Sequence, residues 1–299
     1  MPEAQPSDKG PFAAPGHWYR GNLHTHTTGS DGQLDPAAAA AWYRGQGYDF
    51  IALTDHLCRT AVEGLSSPGF LVLPGIESHP GYDELGEPYH ILGVGVSPTF
   101  TNDRQRSVQE TIDALRADGA LVWLGHPYWV GLTLPEMIGL EGLIGLEIFN
   151  ATCTRFGRGY STVHWDDLLG RGKLPWGLAV DDTHWIAGDY GRGWVMVKAP
   201  ELTAPAILQA LAAGNLYASQ GPEIYDFTVT AKEIYVRCSP VQTIDLISVV
   251  GMSGDQAVAP APDRPLTEFS FPRQRQRVYV RVECRDAQGR IAWSPPILL

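Results

Sequence analysis

Basic blocks, long apolar runs and paired cysteines are what this 299-residue sequence is short of. It carries 22 Lys and Arg against 33 Asp and Glu, a formal charge of −11. No cluster of cations is left to neutralise a phosphate backbone, which argues against long nucleic acid as a partner. Cys58, Cys153, Cys238 and Cys284 are widely spaced and form no CxxC, so neither a zinc knuckle nor a redox dithiol is expected. Cys238 and Cys284 could meet across two strands, but reduced core cysteines are the expectation. No window approaches the roughly 18 to 20 apolar residues of a membrane helix, so no membrane association is expected. The opening "MPEAQPSDKGPFAAPGHW" is Pro-rich and polar, without the charged start and apolar stretch of a secretory signal. Residues 1–17 read as a flexible arm and the protein as cytoplasmic. Internal repeats and low-complexity tracts are absent.

What is present is a hydrophobic content of 44%, enough for a large core, in a length that fits an α/β barrel with an appendage. Over residues 18–221, β-rich runs alternate with helical stretches, the signature of βα units around a parallel sheet. The strand candidates are "WYRGNLHTH", "DFIALTDH", "FLVLPGIE", "YHILGVGV", "ALVWLGHP", "GLIGLEIFN" and "PWGLAVDDTH". "FIAL", "FLVL" and "GLIGLEIF" are nearly continuously apolar, as strands buried on both faces should be. Helices are predicted over 35–46, opened by Asp35 and Pro36, and over 103–118, 134–140, 162–171 and 203–213. After Gly221 and Pro222, apolar and polar residues alternate between turn-prone stretches, so residues 222–299 read as a small antiparallel β-sandwich. Its last strand follows a turn at Gln288 and Gly289 and packs Trp293 inward.

The polar residues fall where the apolar runs stop. His24 and His26 finish the first run, Asp55 and His56 the second, Glu77 the third, His126 the fifth, Glu147 and Asn150 the sixth, and Asp182 and His184 the seventh. His90 opens its strand instead, the one exception. In α/β barrels the C-terminal strand ends build the active site, so these endings should converge on one mouth. Six of the nine histidines lie in this set. His24 and His26 are two apart, which in extended chain turns both imidazoles toward one point, as a metal pair requires. His17, His79 and His164 lack a motif and read as structural.

In "HTHTTGSDG", "LTDH", "GHP" and "DDTH", with Glu77 in "GIESHP" and His90 in "YHILGVG", the sequence resembles the PHP (polymerase and histidinol phosphatase) domain, an amidohydrolase-like family of metal-dependent phosphoesterases. The likeness covers about residues 18–220, and the β-rich tail with "AWSPP" looks like an extension found on some members. The resemblance implies a distorted seven-stranded (β/α)7 barrel with two or three divalent ions (Zn, Mn or Fe). His24, His26, Glu77 and Asp182 would hold one ion, and Glu77 would bridge to a second held by His90 and His126. Asp31, His56 and His184 would hold a third. It also implies hydrolysis by a metal-bridged hydroxide, with Asp182, His184 and Asp31 counted as catalytic.

Imidazoles and carboxylates without cysteine suit a catalytic rather than a closed structural site. Ions of this kind lower the pKa of bound water to about 7 and neutralise oxygens where charge develops. Asp181, Asp55 and His79 are weak candidates for the proton donor, Asp55 being better placed to orient a ligand histidine. Arg155, Arg158 and Arg192 lie on mouth loops and could clamp a phosphate, or be solvated loop charges. Tyr128 and Trp129 could wall an organic substituent. The expected activity is phosphoesterase action on a small, phosphorylated molecule. The alternative is hydrolysis of a carboxylic ester, carbamate or amide, which an apolar pocket with the arginines turned away would favour.

Overall fold

Seven short apolar runs become strands: β1 (His17–Asn22), β2 (Phe50–Leu53), β3 (Leu71–Ser78), β4 (Ile91–Val94), β5 (Leu121–Leu124), β6 (Gly145–Asn150) and β7 (Trp176–Val180). The computed structural model describes residues 10–173, 175–186 and 188–299. All residues of β2, β4, β5, β6 and β7 are buried, which accounts for their unbroken apolar character. Neighbours pair in chain order, parallel for β1–β2, β2–β3, β5–β6 and β6–β7. β4 runs antiparallel to both β3 and β5. No helix separates β3 from β4, and a chain without a crossover helix returns antiparallel. The arc is drawn back on itself where Thr25, beyond β1, bridges Thr183, beyond β7. There the Asp182 N–H donates to the His24 carbonyl and the His26 N–H to that of Thr183, both at 3.0 Å.

The helices are α1 (Pro36–Gly45), α2 (Val108–Ala117), α3 (Pro127–Val130), α4 (Leu134–Ile138), α5 (Thr162–Leu169) and α6 (Ala204–Ala212). Their starts follow from capping. Asp35 accepts from the Ala38 N–H, Thr203 from that of Ala206, and Ser107 forms a capping box with Glu110. Ser107 is why the helix expected from 103 begins five residues later. α3, one turn long, was not foreseen.

Two strands that the sequence reading omitted, β8 (Trp194–Ala199) and β9 (Leu216–Ser219), extend the sheet on the other side of β1. Beyond them come β10 (Ile224–Val229), β11 (Glu233–Val241), β12 (Thr243–Ser248), β13 (Asp255–Val258), β14 (Leu266–Pro272), β15 (Tyr279–Arg285), β16 (Ile291–Trp293) and β17 (Ile297–Leu298). β16 pairs with β9, so one sheet runs in the order β13-β12-β15-β16-β9-β8-β1-β2-β3-β4-β5-β6-β7. β10, β11 and β14 form a separate antiparallel layer. Phe227, Ile234, Val236 and Phe271 of that layer share a core with Ile244, Leu246, Val280 and Val282. All four cysteines are free, and Cys238 and Cys284 belong to this core. Among the described residues no helix is long and apolar enough to cross a membrane.

Residues 1–9 of the expected arm lie outside the described residues. From Gly10 the chain is not loose: Gly10–Ala13 makes a 3-10 turn, Phe12 packs on Trp18 and Tyr217, and Lys198 Nζ donates to the Phe12 carbonyl at 3.0 Å.

Besides the β9–β16 pairing, side chains tie the tail to the rest, among them Tyr279, whose Oη donates to Asp166 Oδ1 at 2.9 Å. Trp293, 1% exposed, stacks on Phe149 of β6 with ring centres 6.2 Å apart. Arg281, also 1% exposed, grips Asp166 of α5 through two nitrogens at 2.7 Å each and reaches Glu283 at 2.8 Å. Trp293→Ala should therefore cost about 3–5 kcal/mol of stability, read by chemical denaturation; a change below about 1 kcal/mol would show that this joint contributes little.

Candidate metal centre

β1 ends at Asn22, and the next four residues stay extended because Thr25 is held between Thr54 and Thr183. Alternation then turns Leu23 and Thr25 one way and His24 and His26 the other, bringing their Nε2 atoms 3.1 Å apart. Glu77 stands at the end of β3 opposite them. Its Oε2 lies 3.2 Å from His24 Nε2, 3.2 Å from His26 Nε2 and 2.8 Å from His56 Nδ1. Its Oε1 lies 2.6 Å from His90 Nδ1 and 3.4 Å from His126 Nε2. The reversed β4 explains His90: a strand running the other way starts at the mouth where its neighbours finish.

Asp182, just beyond β7, sits at φ +53°, a conformation that non-glycine residues rarely hold outside functional sites. Its Oδ1 lies 3.1 Å from His24 Nε2 and 3.0 Å from His26 Nε2. Asp31 is more exposed, with Oδ1 3.6 Å from His56 Nε2 and Oδ2 3.5 Å from His184 Nε2. All nine residues singled out by the sequence thus lie in one connected cluster. Three overlapping sets could each hold an ion: His24, His26, Glu77 and Asp182; Glu77, His90 and His126; and His26, Asp31, His56 and His184.

The donor atoms fit cations better than they fit one another. Bonds of about 2.0–2.1 Å to an ion place adjacent ligand atoms about 3 to 3.4 Å apart, the spacing found around Glu77 and Asp182. Glu77 Oε2 is buried with three nitrogens close by, yet none is angled to hydrogen-bond to it. Electrostatics point the same way. Burial opposes a charged His26, but a hydrogen bond to Asp182 and the charges of Glu77 and Asp182 lift its pKa to about 9. His24 is likewise buried, and Asp182, Glu147 and Glu77 hold it well above its ordinary value. Burial would raise Glu77, but the charges of His24 and His90 and a hydrogen bond from His126 bring it well below. His90 differs: burial outweighs Glu77 and drops it to about 4. Buried carboxylates here demand positive charge, which protons on histidines or divalent ions can supply.

Around this cluster lie residues to which no motif gave a role. Glu147 Oε1 accepts from His24 Nδ1 at 2.7 Å, and its Oε2 accepts from the His126 N–H and from Asn150 Nδ2. That fixes the His24 tautomer and leaves Nε2 facing Glu77. Asn150 Nδ2 also donates to Asp182 Oδ2 at 3.0 Å. Asp189 accepts from Thr183 Oγ1 and from the N–H groups of His184 and Ile186, shaping the loop that carries Asp182 and His184. The signal for Glu147 is a lone carboxylate in the otherwise apolar "GLIGLEIF".

The three donor candidates fare differently. Asp55 orients no histidine directly. It accepts from Thr27, Ser30 and Thr60, holding the loop between His26 and Asp31, and although burial pushes it up, these hydrogen bonds leave it below its ordinary value. Asp181 is fully buried and pushed up to about 6, while it accepts from Tyr43 Oη and the N–H groups of residues 191–193. It braces the neighbouring loop. His79 is not remote from the centre, since its ring stacks on that of His90 at 4.1 Å.

Arg158 donates to the Tyr128 carbonyl and lies 5.1 Å from the centre of the Tyr128 ring. Among the described residues, the exposed side chains of Arg155 and Arg192 make no hydrogen bond or ion pair. Trp129 does border the cluster, edge-on to His126 at 5.2 Å and His90 at 5.6 Å. Phe156, 61% exposed, continues that wall.

Over 99% of its length the chain aligns with 98% of a two-domain protein from Bacteroides vulgatus ATCC 8482, described as containing a predicted PHP-like metal-dependent phosphoesterase, at 16% identity and a TM-score of 0.56. This chain has the PHP-like fold. Two further similar structures are an amidohydrolase from Chromobacterium violaceum (14% identity, 66% of this chain and 96% of that one, TM-score 0.48) and a lesion-specific endonuclease from Pyrococcus furiosus (12%, 66% and 56%, TM-score 0.41). No family model and no curated protein matches the sequence.

Two outcomes follow for this cluster. Zn²⁺ added at pH 7 to weakly buffered protein should acidify the solution, because His26, with a pKa near 9, carries a proton that the ion displaces; binding without any pH change would refute this. Glu147→Gln puts an NH₂ against two donors or leaves His24 without its acceptor, and should weaken metal binding or turnover roughly 10- to 100-fold. Wild-type values for both would remove Glu147 from the centre's support.

Proposed function

We propose that this chain is a metal-dependent hydrolase that cleaves a small phosphoric ester, with the nine clustered residues as ligands of two or three divalent ions (Zn, Mn or Fe). The observation that carries the reading is the division of Glu77: one oxygen faces His24, His26 and His56, and the other faces His90 and His126. A carboxylate placed in this way suits a bridge between two ions. In the same reading β1–β7 form a distorted (β/α)7 barrel over residues 18–221, and residues 222–299 a β-sandwich.

When bound, such ions supply a hydroxide at neutral pH and positive charge for the oxygens of the substrate. The protein supplies geometry. Glu147 holds His24, the Asp182 carbonyl accepts from His184 Nδ1 at 2.9 Å and leaves His184 Nε2 facing Asp31, and Thr152 Oγ1 fixes that carbonyl at 2.7 Å. Asp31, the most exposed of the nine, and the half-buried His56 and His184 mark the side from which substrate enters. The phosphoesterase described in the Bacteroides vulgatus protein supports a phosphoric ester. Arg155 and Arg192, without other partners among the described residues, are available to its phosphate.

One observation favours a second reading, hydrolysis of a carboxylic ester, carbamate or amide. Trp129 and Phe156 give the mouth an apolar side, and Arg158 is engaged by Tyr128.

The deciding comparison is turnover of p-nitrophenyl phosphate, bis(p-nitrophenyl) phosphate and p-nitrophenyl acetate by Mn²⁺- or Zn²⁺-loaded protein. Cleavage of a phosphate ester is expected; cleavage of the acetate alone would select the second reading. Asp182→Ala should lose more than the roughly 10- to 100-fold that a supporting residue costs, together with bound metal.

A further inference from the structure

His79 lies just beyond β3, two residues after Glu77, so continued alternation turns both toward the same face, by the logic that pairs His24 with His26. Ser78 between them points elsewhere and donates to Asn102 Oδ1. The His79 ring stacks on His90 at 4.1 Å with planes 25° apart and meets His56 edge-on at 4.7 Å. Its Nε2 is buried without a hydrogen-bond partner and lies 3.9 Å from Glu77 Oε2. That distance is too long for a hydrogen bond. It is short enough for two ligands of one ion, since atoms each about 2.1 Å from a centre are at most about 4.2 Å apart. His56 Nδ1, 2.8 Å from the same oxygen, is also buried and unpartnered. The three donor atoms of His56, Glu77 and His79 lie within 4.8 Å of one another.

We propose that His56, Glu77 and His79 form a further divalent-ion position beside the three that the nine residues make, with His79 Nε2 as the ligand it adds. This rests on the reading of the cluster as a metal centre. Buried imidazole nitrogens with no partner are otherwise uncompensated, and a cation here satisfies His79 Nε2 and His56 Nδ1 together while sharing Glu77 Oε2 with the ion at His24 and His26. His56 stands between two positions, turning Nδ1 to this one and Nε2 to Asp31. A neutral imidazole gives one lone pair, so an ion here competes with the one at Asp31 and His184 for His56.

The test is metal binding, read without substrate. His79→Phe keeps a ring against His90 and removes the nitrogen; His79→Gln serves if the phenyl ring prevents folding. Each is compared with wild type by Zn²⁺ competition against a chromophoric chelator and by the visible spectrum of the Co²⁺ form. At least a tenfold loss of affinity for the weakest ion, with an altered Co²⁺ spectrum, is expected. The same loss should be larger in an Asp31→Ala background, where His56 has no competing ion to serve. Affinity and spectrum equal to wild type in both backgrounds would overturn the proposal. A wild-type protein that binds no ion would instead overturn the reading on which it rests.

Discussion

One carboxylate sets the terms for the rest of the molecule. Glu77 is fully buried and offers each oxygen to a different group of histidines, and Asp182 and Glu147 are buried beside it. Negative charge in so dry a place must be matched, and no lysine or arginine comes near it among the described residues. The histidines do the matching, and each needs its own backbone position and its own acceptor. Much of the loop architecture reads as the consequence: Asp55 knots the turn between His26 and Asp31, Asp189 knots the one after Asp182, and Asn150 ties Glu147 to Asp182. The fold concentrates polar structure at one end of an apolar sheet because one end must hold this charge.

The cluster was legible in the sequence to an unusual degree, for a physical reason. Where buried strands are uniformly apolar, a histidine or carboxylate at the stop is conspicuous, and the stops of parallel strands lie together. Even the anomaly of His90, first in its strand and not last, carried information that became clear once β4 proved reversed. Glu147 was visible as a polar ending but had no motif to explain it, because a residue that holds a ligand leaves no spacing rule in the chain. His79 was set aside because no motif includes it, although it follows Glu77 by two residues as His26 follows His24. Asp55 was given the right kind of role on the wrong partner, since which hydroxyls and amides surround a carboxylate depends on how a loop folds, which local pattern does not encode.

Topology was less legible than the site. β8 alternates buried and half-buried positions, and β9, as short and as buried as β2, reads Leu216-Tyr217-Ala218-Ser219 without a continuous aliphatic run, so neither stands out beside the apolar runs. Yet these two strands decide how the tail is attached. With β9 paired to β16, the antiparallel pairing that begins between β1 and β8 runs on past Gly221 into the tail, so one sheet continues across that point.

That continuity limits how the tail could be exchanged. A module strung on a linker can be cut away or replaced at little cost, but severing this chain near Gly221 would strip β16 from β9 and bare a row of unsatisfied amides and carbonyls next to Phe149. Such an edge invites pairing with other chains.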